Sequence, residues 1–295
     1  MSWTRKAATF RALDRLPGGH FLHEALQRYV TRRLPRSDKS IRSTLGFGGR
    51  LSDALSRNGG RAITGATFLE FGAGRDLALP LYLSASGAER VYAFDIDRLA
   101  RRDLVARSAS VVVADLGSDR PLPRSFAELS EIWKVDYRAP GDARRTGLAS
   151  RSVDCAYSLE TLEHIPRADI VAILREIARV LKADGLAIME IDYTDHYAGF
   201  DASIGRFNFL RFDETEWARY QSSFQYVNRL RHPEYLDCFS EAGLEILEEV
   251  RMPGQPDPDV ESNLAACFGS FTREDLFTAG ALIVARPDPT RTGDS

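Results

Sequence analysis

Three groups of side chains in this 295-residue sequence have the types and spacing to do chemistry. The first is a pair of acids around a glycine turn. Glu70 precedes Gly72-Ala73-Gly74, and Asp95 closes the next apolar run, Val91-Tyr-Ala-Phe94. A carboxylate at the end of that second run accepts hydrogen bonds from ribose hydroxyls. A dinucleotide fingerprint would place a third glycine at the start of the following helix, where this sequence has Leu77. Glu70 would also set negative charge beside a pyrophosphate. The pattern suits an adenosine carried on a cationic group without phosphates, which describes S-adenosylmethionine (SAM), and it disfavours a nicotinamide dinucleotide. The second group is Glu160-Thr-Leu-Glu163-His164. On a helix the two glutamates share a face, with His164 adjoining. They can hold a Mg²⁺-like ion with positions open for a diol, or His164 can serve alone as a general base. The third is Asp195-His196, whose side chains point apart and need separate partners. Both are candidates for proton handling, and His196 can also be a substrate or metal ligand.

These groups need a frame that brings them to one edge. Ala66 to Phe71 reads as a buried strand, and Leu77, Leu79, Leu81 and Leu83 follow the glycine turn at roughly helical spacing. Strand and helix then alternate to about Asp192, with strands expected at Val91–Asp95, Glu131–Tyr137, Val153–Leu159 and Leu186–Ile191. Ile170 to Leu181 has the stripe of an amphipathic helix stopped by Gly185. Alternation of this kind argues for a parallel sheet with helices on both faces, its ligand crevice at the carboxyl edge. Glu70, Asp95, Glu160 and Asp195 all fall at that edge.

With these blocks in place, the sequence resembles the class I SAM-dependent methyltransferases, in particular the type 11 small-molecule branch. Glu70-Phe-Gly-Ala-Gly74 is similar to the first family motif and Asp95 to the second. Gly141-Asp142-Ala143 is similar to the third, where an acid reads the adenine amino group. Val153–Leu159 resembles the fourth strand, and Glu176–Gly185 the helix and turn before the fifth. One departure is Ala183-Asp-Gly185 where the family has Pro-Gly-Gly. The resemblance implies a Rossmann-like, seven-stranded, mostly parallel sheet with the last strand antiparallel. It implies cofactor contacts from Glu70, Gly72, Ala73, Gly74, Asp95, Ile96, Asp142, Ala143, Ser158 and Leu159. His164 is then expected to face the transferred methyl. The Glu160, Glu163, His164 string carries a metal in some relatives that it resembles, so Mg²⁺ is a further candidate cofactor.

Five segments are expected: an N-terminal helical lid (1–61), the SAM-binding core (62–192), a substrate-binding insertion (193–232), the end of the core sheet (233–286) and a disordered tail (287–295). The lid contains an amphipathic helix over Phe21–Val30 and a short one at Leu51–Leu55. The insertion is rich in aromatics, and Tyr193, Tyr197, Asn228, Arg229 and Arg231 are its candidate substrate contacts. Arg229 and Arg231, on one face of an extended segment, would suit a carboxylate or phosphate.

Composition narrows the partners. A net charge of −3, with acids and bases interspersed, gives no bulk attraction for nucleic acid. The short basic clusters read as solvated faces. Cys155, Cys238 and Cys267 are unclustered, which points to a reducing compartment without structural zinc. No apolar run reaches the length of a membrane span, and no membrane partner is expected. The expectation is a cytoplasmic enzyme acting on a small-molecule acceptor, most readily a hydroxyl of a sugar or natural-product intermediate. The alternatives are an RNA 2′-O-methyltransferase and a non-catalytic SAM-binding scaffold.

Overall fold

The computed structural model describes residues 2–290. Seven strands form its central sheet: β1 (Thr67–Phe71), β2 (Arg90–Phe94), β3 (Val135–Arg138), β4 (Val153–Leu159), β5 (Leu181–Asp192), β6 (Leu244–Pro253) and β7 (Thr278–Pro287). Their order is β3-β2-β1-β4-β5-β7-β6, and β7 runs antiparallel to both neighbours. The sequence expectation of a mostly parallel sheet with an antiparallel last strand matches this arrangement. The chain leaves β1 on one side for β2 and returns on the other as β4, so the crevice opens beyond the carboxyl ends of β1 and β4.

Helices cover both faces. α1 (Trp3–Asp14) and α2 (Gly19–Ala25) precede α3 (Asp38–Gly59), α4 (Ala78–Ala85) and α5 (Arg102–Leu116). Phe47, Leu51 and Leu55 of α3, with Leu79 and Leu83 of α4, build the core on one side of the sheet. After α6 (Phe126–Glu131), α7 (Arg167–Val180) buries the stripe Ile170, Ile173, Leu174, Ile177 on the other side. α8 (Glu214–Trp217) lies in the insertion, and α9 (His232–Glu241) packs beside α7.

Several boundaries differ from expectation: β5 already begins at Leu181, so α7 ends at Val180 and Gly185 lies inside the strand rather than stopping the helix. Leu51–Leu55 is the middle of the 22-residue α3, capped by Ser37 and stopped by left-handed Gly60. Its internal glycines hid the helix from periodicity, yet one is needed for packing: a Cβ on Gly48 would lie 2.4 Å from the Tyr82 ring. The third strand begins at Val135 rather than Glu131, because Ser125 caps α6 over the preceding residues. Pro287 ends β7, and the Asp288 amide donates to the Gly243 carbonyl, so the tail is tied down there. Residues 291–295 of the expected disordered tail lie outside the described residues.

The stretch after β5 forms a third hydrophobic cluster of its own. Tyr197, Phe207, Phe209 and Trp217 pack with Ala7, Phe10 and Leu13 of α1. Trp3 adds ring contacts to Tyr197, Phe212, Trp217 and Tyr220. The N-terminal segment and the insertion are therefore one packed unit.

Candidate functional site

Two cavities meet at the carboxyl edge. The larger, about 480 Å³, is lined by Phe94, Asp95, Ile96, Asp142, Ala143, Arg144 and His164 among others. The smaller, about 300 Å³, is lined by Glu70, Ala73, Asp76, Leu159 and, from the N-terminal segment, Leu34, Arg36 and Thr44. Gly72, Gly74 and Glu160 line both.

The glycine turn is built for a close approach. Gly72 has φ +73° and faces Thr161, where an added Cβ would meet the side chain at 2.3 Å. The Gly74 amide donates to Asp95 Oδ2 at 2.8 Å, and the Asp97 amide donates to Asp95 Oδ1 at 3.1 Å. Burial still raises the Asp95 pKa against those two bonds. Glu70 is buried, its Oε2 has no partner, and burial followed by the charges of Asp95 and Asp76 pushes its pKa well up. An unpaired buried carboxyl facing a second one is costly unless a donor or cation joins them. Ile96, just past Asp95, is an exposed apolar side chain in the wall of the larger cavity. Asp142 sits in the same wall, engaged by Arg144, which also bridges to Asp169 at 2.5 Å.

Across the cavity, Leu162–His164 form a single 3-10 turn. The His164 Nδ1 lies 2.7 Å from the Tyr226 carbonyl. A carbonyl only accepts, so Nδ1 carries the hydrogen and Nε2 keeps the lone pair. Burial, then the adjacent His196, lowers the His164 pKa. The two imidazoles meet edge to face with centroids 4.9 Å apart. Glu163 is buried with neither oxygen bonded, and burial raises its pKa well above the usual carboxylate range. Ligand atoms of Glu163, His164 and His196 all lie within 4.8 Å of one another. His196 Nε2 is also 3.4 Å from Asp192 Oδ2.

The expected metal trio changes membership in this geometry. Glu160 is not on a helix face with Glu163. It sits just past the end of β4 with φ +47°, which turns it toward the two cavities, and His196 takes its place in the cluster.

Several expected contacts are elsewhere. Asp195 is an N-cap: it accepts from the Tyr197 amide and from Asn208 Nδ2, and burial pushes its pKa up to about 6. Tyr193 is buried with its hydroxyl on His232 and its ring stacked on Tyr235. The Tyr197 hydroxyl donates to the Tyr220 carbonyl inside the aromatic cluster. Arg229 donates to the carbonyls of Phe209 and Phe212 and pairs with Glu214. Arg231, fully buried, donates to the carbonyls of Tyr193, Asp275 and Thr278. Asn228 holds the 3-10 turn, donating to the carbonyls of Leu162 and Ile165. Ser158 is buried and its hydroxyl donates to Met189 Sδ. None of these side chains lines either cavity. These side chains are engaged by buried polar partners of the protein: Asn228, Arg229, Arg231 and Tyr197 by carbonyls, Asp195 by an amide and Asn208, Tyr193 by His232 and Ser158 by Met189.

Residues not singled out from sequence also shape the site. Arg36 forms a two-pronged pair with Asp76 beside Glu70, and Thr161 backs the glycine turn. Thr161 lies within the Glu160–His164 string already noted; Arg36 belongs to a short basic cluster read from sequence as a solvated face, and its pair with Asp76 in the wall of the smaller cavity corrects that reading.

The family described as "Methyltransferase domain" matches residues 19–249. The chain belongs to this family. It is a class I SAM-dependent methyltransferase with the Rossmann-like fold of that class. Among solved structures, the PH0226 protein from Pyrococcus horikoshii superposes with a TM-score of 0.51 at 16% identity, covering 90% of this chain and 98% of that one. Geranyl diphosphate C-methyltransferase from Streptomyces coelicolor, solved with Mg²⁺, geranyl diphosphate and S-adenosyl-L-homocysteine, gives 0.50 at 15% identity, with 85% of each chain covered. No curated protein matches the sequence. Among the described residues, no helix is long and apolar enough to cross a membrane.

Proposed function

We propose that this methyltransferase moves the SAM methyl group to a small molecule, onto a hydroxyl oxygen of a sugar or natural-product intermediate. The observation that carries the reading is His164. Its tautomer is set by the Tyr226 carbonyl, its Nε2 lone pair is free, and it lines the cavity that Asp95 and Asp142 also line. When bound, SAM supplies a methyl on a sulfonium, which departs as a neutral thioether. The unpaired Glu70 carboxyl and the Asp95 oxygens fit its ammonium and ribose hydroxyls, and Ile96 with Phe94 offers an apolar wall to adenine. As the acceptor oxygen attacks, its proton passes to His164 Nε2. The lowered His164 pKa keeps that nitrogen unprotonated at neutral pH. Cavities of this size hold a small acceptor in line with the methyl and away from water.

A second reading uses the Glu163, His164, His196 group as a metal site. Two imidazoles and one carboxylate suit a transition ion better than Mg²⁺, and the Tyr226 carbonyl would orient His164 as ligand-supporting carbonyls do. The bound ion would lower the acceptor hydroxyl pKa.

One experiment separates them. With His164 as base, His164→Ala should lower kcat by roughly 10²–10⁴ with S-adenosylhomocysteine affinity unchanged, and EDTA should have no effect. The acidic limb of kcat/KM should fall below the ordinary histidine value of 6.5, because the pKa is lowered, and should vanish in the variant. Loss of turnover in EDTA, restored by metal, with Glu163→Ala and His196→Ala as damaging as His164→Ala, supports the metal reading. Full activity of a variant lacking both histidines, with or without EDTA, rejects both. Cofactor binding with no turnover on any hydroxylated acceptor would favour a scaffold.

A further inference from the structure

We propose that residues 15–33 form a surface that docks on an anionic lipid membrane. The twelve residues from Gly19 to Val30 are helical, as α2 followed by a π turn. One side of this unit is anchored. His23 meets the rings of Phe10 and Phe224, and Leu26 packs on the insertion cluster. Phe21, Leu22, Tyr29 and Val30 of the same unit are exposed, and Leu16 lies just before it. All five are 44–79% exposed. Eleven large apolar side chains are exposed among the described residues, and the other six are scattered between Ile96 and Val250. Exposed apolar residues gathered in one short stretch mark an interaction surface.

Charge identifies the partner. Residues 1–36 carry eight Lys or Arg against two Asp or Glu, whereas the chain as a whole has a net charge of −3. That segment therefore has a net charge of +6, eight minus two, and the remainder of the chain −9. Arg15, Arg32 and Arg33 are exposed and flank the apolar set. A short helical segment that exposes aromatic and aliphatic side chains among arginines settles into the headgroup layer of an anionic bilayer, without any span. The same segment continues into Leu34 and Arg36, which line the smaller cavity, so a docked enzyme would present that cavity close to the bilayer.

The test is co-sedimentation of the full chain with vesicles. Binding is expected to vesicles of equal parts phosphatidylglycerol and phosphatidylcholine at low salt. It should be weaker at high salt and undetectable with phosphatidylcholine alone. The double variant Phe21→Asp, Tyr29→Asp should bind the anionic vesicles at least about tenfold more weakly. Arg15→Glu with Arg32→Gln should do the same by removing charge. Each variant should still bind S-adenosylhomocysteine, which shows that it folds. No binding of the wild-type chain to anionic vesicles, or binding unchanged in both double variants, overturns the proposal. So does a wild-type dimer that ignores vesicles and is split by the Phe21 and Tyr29 substitutions, since a second copy would then be the occupant.

Discussion

The two oxygens of Asp95 accept the Gly74 and Asp97 amides, which fixes the carboxylate at the mouth of the glycine turn. Each oxygen retains a lone pair for a ribose hydroxyl. Asp95→Ala removes both functions, so S-adenosylhomocysteine binding should weaken by roughly 1–3 kcal/mol, with a smaller loss in Asp95→Asn. Titration calorimetry measures this directly, and NAD should give no heat; NAD affinity equal to that of S-adenosylhomocysteine would contradict the role given to Glu70. At this scale the cofactor motif was legible because turn chemistry is local. The roles of Tyr193, Asp195, Arg229 and Arg231 were not. Their types suited a substrate or, for Asp195, proton handling, but which way a loop side chain faces is decided by the buried polar groups around it.

At the scale of elements, the reactive turn is held from outside itself. The Asn228 amide donates to the carbonyls of Leu162 and Ile165, its Oδ1 accepts from Tyr235 and the Leu230 amide, and its own N–H reaches the Glu163 carbonyl. Two residues earlier, Tyr226 fixes His164. Asn228 is thus a positioning residue. Asn228→Ala should lower kcat by roughly 10- to 100-fold through misplacement of His164, with S-adenosylhomocysteine affinity nearly constant. The acidic limb of the pH profile should also move, because the His164 environment changes. Unaltered kcat and an unmoved limb in a merely less stable protein would assign Asn228 to stability alone. Strands and α7 could be read from periodicity, since burial of one face repeats along the sequence. The full length of α3 could not, because glycines interrupt its pattern, one of which, Gly48, makes room for Tyr82.

For the molecule as a whole, the question is what joins the aromatic insertion to the catalytic sheet. Arg231 lies at that junction. Its guanidinium donates to Tyr193 after β5, to Asp275 before β7 and to Thr278 at the start of β7, and it is flanked by the rings of Tyr193 and Phe209. Burial lowers its pKa to about 10, which leaves it charged at neutral pH. Three carbonyls and two rings surround it, so the insertion, the end of β5 and β7 share one cation. Arg231→Met keeps the volume and removes the donors. The unfolding free energy should fall by at least roughly 1–3 kcal/mol, because buried carbonyls lose their donor and no charge is left behind. The fraction that remains folded at low temperature should bind S-adenosylhomocysteine normally and keep its KM for the acceptor, because Arg231 lines neither cavity. Denaturant titration and steady-state kinetics together check this. A large rise in acceptor KM at unchanged stability would return Arg231 to the substrate, as its sequence position first suggested, and would mean that the insertion opens to expose it.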